Sequence, residues 1–129
     1  MTIQLNHTIV HARDPQASAQ FLIDVLGLQA LPTRFGPFYC VQLDNGVTLD
    51  YLRADDGSYE VHHYAFLVGE AEFDAIFGRI VERGLVYAAD PGMQKRGEIN
   101  HHDGGRGVYW DDPNGHRLEI ITRPYGSGG

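Results

Sequence analysis

Cysteine is almost absent: among 129 residues only Cys40 carries a thiol. No disulfide can close within the chain, and a reducing compartment is expected. Long apolar runs are missing too, since no stretch approaches the ~20 residues that a membrane-spanning helix needs. Basic charge is scarce, with 10 Lys and Arg against 17 Asp and Glu and a formal net charge of −7. No Lys/Arg-rich segment offsets it, which disfavours nucleic acid or anionic membrane as a partner. The opening MTIQLNHTIV has neither the basic segment nor the apolar run of a signal peptide, so a cytoplasmic protein is expected.

What is present reads as one domain over 1–129, with 43% hydrophobic and 21% charged residues. Asp112-Pro113-Asn114-Gly115 separates two runs rich in branched and aromatic residues, Val108–Trp110 and Arg117–Thr122. Asn-Gly at that place is a strong hairpin signal. Within the second run Leu118 and Ile120 share one face and Glu119 projects from the other. Upstream, Ile3 to His11 predicts a strand with Leu5, His7 and Ile9 on one face. Asp14-Pro15 opens a helix whose stripe is Phe21, Leu22, Val25 and Leu26, and Gly27 stops it. Leu28–Leu31, Phe38–Leu43 and Val47–Arg53 follow as strands, and Ala54–Ser58 as a polar connector.

The same order then returns. Val61–Val68 predicts a strand, and Glu70–Arg83 a helix with Phe73, Ile76, Phe77, Ile80 and Val81 at helical spacing. Leu85–Ala89 predicts another strand, Asp90–Gly105 a long polar loop, and the hairpin closes the chain before a loose tail at 124–129. Aligning His7 with His63 places Asp14 on Glu70 and Phe21 on Phe77. The last strands align in turn, Asn45-Gly46-Val47-Thr48-Leu49-Asp50 against Asn114-Gly115-His116-Arg117-Leu118-Glu119, which pairs Asp50 with Glu119. Two modules, approximately 3–53 and 60–123, are expected, each strand, helix, then three strands.

LNHTIVHARDPQASAQFLIDVLGL, HHYAFLV and GVYWDDPNGHRLEI together resemble the vicinal oxygen chelate superfamily, which holds glyoxalase I, fosfomycin- and bleomycin-resistance proteins and extradiol dioxygenases. The resemblance spans Leu5 to Arg123. It implies an α+β fold of two tandem βαβββ modules whose mixed sheets curl around a shared cavity. It also implies a divalent transition metal (Fe, Mn, Ni or Zn) on His7, His63 and Glu119, with Asp50 as a fourth ligand or an outer partner. Imidazole and carboxylate on rigid strands suit such a metal and leave positions open for substrate oxygens. In the dioxygenases of this superfamily a loop His and a strand Tyr assist catalysis. His101 or His102 and Tyr109 are similar in placement, and a loop imidazole would suit proton shuttling.

The expected function is a metal-dependent enzyme on a small oxygen-bearing substrate, with ring-cleavage dioxygenase chemistry ahead. A glyoxalase-type lyase or isomerase, and a non-catalytic drug-sequestering protein, are the alternatives. A homodimer is expected from the same resemblance. Among the other polar residues, His62 reads as structural and His116 as a surface residue past its turn. Arg34 and Arg106 are candidates for holding an anionic substrate, and Cys40 reads as a small buried hydrophobe.

Overall fold

In the computed structural model, which describes residues 2–54 and 58–128, each half of the chain lays down its strands in the same order. The contacts divide it into two units, Met1–Glu60 and Val61–Gly129. The centre of the connector expected over Ala54–Ser58 lies outside the described residues.

The first module contains β1 (His7–Ala12), α1 (Pro15–Leu26), β2 (Thr33–Phe35), β3 (Phe38–Gln42) and β4 (Thr48–Arg53). Its sheet runs β1-β4-β3-β2, with β1 parallel to β4 and the other pairs antiparallel. The second contains β5 (His63–Leu67), α2 (Glu70–Glu82), β6 (Tyr87–Ala88), β7 (Gly107–Asp111) and β8 (Arg117–Ile121). Its sheet repeats the pattern as β5-β8-β7-β6, with β5 parallel to β8. Both sheets are open, and the two βαβββ modules of the expected α+β fold are present.

Local chemistry explains the elements. The Asp14 carboxylate accepts from the Ala17 N–H at 3.1 Å and caps α1, while Pro15 occupies the first turn. Gly27, at φ 74°, takes the left-handed conformation that ends the helix. The buried face is Ser18, Ala19, Leu22, Ile23 and Val25. It is rotated from the predicted stripe, leaving Phe21 and Leu26 only half-buried. In α2 the buried residues are Phe73, Ile76 and Ile80, and Val81 is exposed. Under α1 lie Val10, Val41, Leu49 and Tyr51; the second module's core holds Phe66, Trp110, Leu118 and Ile120.

Several predicted strands are shorter or displaced. The first begins at His7, because its parallel partner β4 begins at Thr48 and Ile3 and Leu5 have no strand beside them. Leu28–Leu31 is not a strand; β2 begins two residues beyond it, where Thr33–Phe35 can pair with β3 across Gly36-Pro37. The strand expected over Leu85–Ala89 contracts to Tyr87–Ala88, the only two residues of it that pair with β7. Among the described residues no helix is long and apolar enough to cross a membrane.

Candidate functional site

Period-2 alternation places the polar candidates on one face of each sheet. In β4, Leu49 and Tyr51 enter the core and Asp50 turns the other way. In β8, Leu118 and Ile120 do the same and Glu119 turns away from them. The registers of the modules match: Asp50 lies opposite Ile9, two residues past His7, and Glu119 lies opposite Ala65, two residues past His63. On the next strand Cys40 faces Asp50 where Tyr109 faces Glu119.

The second module makes a connected cluster of these groups. Glu119 is fully buried, and its Oε1 stands 3.0 Å from His63 Nε2. His63 Nδ1 faces the Arg117 carbonyl oxygen at 2.9 Å. A carbonyl only accepts, so Nδ1 carries a proton. Nε2, at 3.0 Å from the carboxylate, either donates to it as an imidazolium or turns a lone pair to a cation that both groups hold. The Tyr125 hydroxyl donates to the other oxygen, Oε2. Tyr109 stands 3.1 Å from the Tyr125 oxygen and donates to it, and its ring lies 5.8 Å from that of His63. Burial, then the hydrogen bonds to Tyr125 and Glu119, push Tyr109 above the usual tyrosine range. Burial and the Glu119 carboxylate push Tyr125 up, the bond from Tyr109 partly opposing them, so both remain donors at neutral pH.

The first module is more open. His7, Ile9, Thr33, Phe35, Phe38, Cys40, Gln42, Thr48 and Asp50 line a concave pocket of about 450 Å³. His7 Nδ1 lies 2.6 Å from Asn6 Oδ1, which places the N–H on that side and the lone pair on Nε2. Asp50 Oδ1 is buried without a hydrogen-bond partner among the described residues. An orphaned carboxylate oxygen beside a His-lined pocket is a candidate cation ligand. Burial, followed by the hydrogen bond to Asp50, pushes the Cys40 thiol up to about 11. Cys40 is half-buried and lines the pocket; it is not the sealed core residue expected of it.

Each module thus supplies one imidazole and one carboxylate, a nitrogen–oxygen donor set that fits a divalent metal of the Fe, Mn, Ni or Zn type. Among the described residues no three His, Cys, Asp or Glu side chains stand together as a metal site. His101 and His102 sit on the exposed loop before β7, around a short 3₁₀ turn at His102–Gly104. Their side chains enter none of the contacts that join His63, Glu119, Tyr109 and Tyr125.

Three sequence readings change. His116 is fully buried: its Nδ1 accepts from the His62 N–H at 3.0 Å, and its ring packs edge-on against Tyr64. The turn that places it is folded inward by Asp112, whose carboxylate accepts from the N–H groups of Asn114 and His116. Arg106 is occupied by Glu70 at 2.8 Å and Asp74 at 2.7 Å and lies over the Phe73 ring, so it ties α2 to β7. Arg34 folds onto Tyr39 and the Gly36 carbonyl within its own hairpin. Tyr125 is the residue that the sequence reading passed over.

Two repeated βαβββ modules, each setting a His on its first strand and a carboxylate on its last, define a class of metal-chelating α+β proteins. The chain belongs to the Glyoxalase/Bleomycin resistance protein/Dioxygenase superfamily, whose sequence model matches residues 4–120. It is similar to the solved structure of oxidase ChaP-H2, with 63% identity, a TM-score of 0.94 and 100% of both chains covered. Oxidase ChaP-H1 is similar at 62% identity and a TM-score of 0.92, over 97% of this chain and 99% of that one. The metallothiol transferase FosB of Lysinibacillus sphaericus (strain C3-41) is 27% identical over 127 residues, 95% of this chain and 84% of that protein.

Proposed function

We propose that this protein is a divalent-metal-dependent, oxygen-consuming enzyme acting on a small substrate with vicinal oxygens, in the manner of a ring-cleavage dioxygenase. The observation that carries the reading is the approach of His63 Nε2 to the buried Glu119 Oε1 at 3.0 Å, a nitrogen–oxygen pair of the kind that holds a divalent cation. Similarity over the whole chain to proteins named as oxidases supports the oxygen-dependent form over a lyase or a passive binder. His7, His63 and Glu119 would hold the metal, with Asp50 as a fourth ligand or outer partner, whether the two modules come from one chain or from two copies in a homodimer. When bound, the metal polarises substrate oxygens and lowers the pKa of a hydroxyl that it coordinates.

The chain's own groups have distinct tasks in this reading. Glu119 offers a buried negative charge, and Tyr125 holds that carboxylate in orientation. Tyr109, a phenol that stays protonated, donates a hydrogen bond beside His63. His101 and His102 stand as the proton-carrying groups of the neighbouring loop. Phe35, Phe38 and Ile9 give the first-module pocket an apolar wall for a planar ring.

The test is oxygen uptake by protein reconstituted with ferrous iron and mixed with catechol and larger aromatic diols. Uptake by the loaded wild type, absent from metal-free protein and from Glu119→Ala, is the expected result. A fully loaded protein that consumes no oxygen with any diol would overturn the dioxygenase form.

A further inference from the structure

The segment after β8 does more than end the sheet. Tyr125 is 60% exposed, so little ring burial fixes it, yet its hydroxyl sits on a carboxylate that is 0% exposed. Something else must hold the backbone. Asp103 does so from the loop before β7: its Oδ2 accepts from the Gly126 N–H at 3.1 Å and its Oδ1 from the Gly128 N–H at 3.3 Å. Both oxygens are used, and both partners lie just past Tyr125. Gly128 approaches so closely that a Cβ there would clash with the Asp103 backbone. Pro124 adds a local turn, its carbonyl accepting from the Ser127 N–H at 3.1 Å. Asp103 itself has φ 57°, a left-handed conformation that Asp tolerates better than most residues.

We propose that Tyr125 is a positioning residue for the candidate metal ligand Glu119, latched in place by Asp103. This inference rests on the metal reading above. The two oxygens of Glu119 have separate environments: Oε1 faces His63 Nε2, and Oε2 takes the Tyr125 proton. A carboxylate so divided would offer Oε1 to a cation while Oε2 stays engaged by Tyr125. Hydrogen-bonded partners of ligating carboxylates orient them, and losing one costs metal affinity. Tyr109 extends the device, because its hydroxyl donates to the Tyr125 oxygen and sharpens the Tyr125 proton as a donor. The His-rich loop thereby gains a role through Asp103, which lies next to the two histidines.

The experiment is cobalt(II) and manganese(II) titration of the full chain, by calorimetry and by the visible cobalt spectrum. It compares wild type, Tyr125→Phe, Asp103→Gly and the double variant, with the thermal midpoint of each metal-free protein as control. Phe keeps the exposed ring, and Gly accepts the left-handed backbone, so both variants keep the fold. Tyr125→Phe should bind metal about tenfold more weakly and alter the cobalt spectrum, with the metal-free midpoint unchanged. Asp103→Gly should weaken binding in the same direction, and the double variant should be no weaker than Tyr125→Phe alone. A Tyr125→Phe affinity within twofold of wild type, or a loss that tracks a lowered metal-free midpoint, would overturn the inference. No metal uptake by the wild type would instead overturn the metal reading on which it rests.

Discussion

The two modules carry one plan with different endings. Each sets a His at the start of its first strand and a carboxylate in its last strand, at the same register offset. In the second module the acid is glutamate, and it reaches His63. In the first it is Asp50, one methylene shorter, with one oxygen orphaned and a thiol from Cys40 on the facing strand. Cys40 and Tyr109 occupy matching positions, and each keeps its proton beside its acid. In the second module the His–Glu pair is prearranged and braced by Tyr125. The first is an open pocket with one carboxylate oxygen, Asp50 Oδ1, that has no hydrogen-bond partner among the described residues. The same strand order is thus written twice, and side-chain length and bracing distinguish the two copies.

Removing the acids should break this comparison most sharply. Glu119→Ala should lower metal affinity at least about a hundredfold, judged against the 10- to 100-fold cost of losing an outer partner alone. It should also cost about 1–3 kcal/mol of stability in the metal-free protein, because the Tyr125 hydroxyl loses its buried acceptor. Asp50→Ala should cost affinity only about tenfold, as expected for a weaker or outer contact. Metal titration and denaturant unfolding of both variants measure the pair. Equal losses would remove the asymmetry. Asp50→Glu sharpens the comparison by restoring the missing methylene, and metal affinity should rise severalfold; a fall would show that the first module is built for the shorter acid.

The turns test the repeat at smaller scale. Gly46 and Gly115 have φ of 87° and 88°, so Ala at either position is strained and should cost about 1 kcal/mol. Gly115→Ala should cost more, since its Cβ would meet Val61 at 3.4 Å where Gly46 faces open space. Urea unfolding of the two variants compares them directly.

The smallest effect is chemical. The folded thiol pKa of Cys40 is raised above its unfolded value of 9.0 to about 11. The folded state thus favours the thiol, and its contribution is full below pH 9 and lost as pH rises from 9 toward 11. At pH 8 iodoacetamide should label Cys40 slowly. Asp50→Asn should speed labelling, because it removes the charge that opposes the thiolate; an unchanged rate would mean burial alone protects it.

Much of this was legible in the sequence, and the parts that were not share a cause. Asp14-Pro15 and Gly27 bound α1 because caps act on their own neighbours. His7, His63, Asp50 and Glu119 could be paired because strand alternation and the repeat are both local patterns. His116 read as surface because the groups that bury it, the His62 N–H and the Tyr64 ring, lie far away in the chain. Arg106 read as available because Glu70 and Asp74 meet it only in the folded module. Tyr125 was hidden most completely, in a Gly-rich segment that resembles a tail; only the aromatic residue set among glycines hinted at it. Its anchor, Asp103, is separated from it by all of β7 and β8.

The most direct measurement of the central claim is elemental analysis of protein purified without added metal or chelator, beside His63→Ala and Glu119→Ala. Near one equivalent of a transition metal in the wild type, lost in both variants, is the expected result. A wild type that holds none and takes up none on titration would contradict the account, and would leave the facing His63 and Glu119 as a structural ion pair.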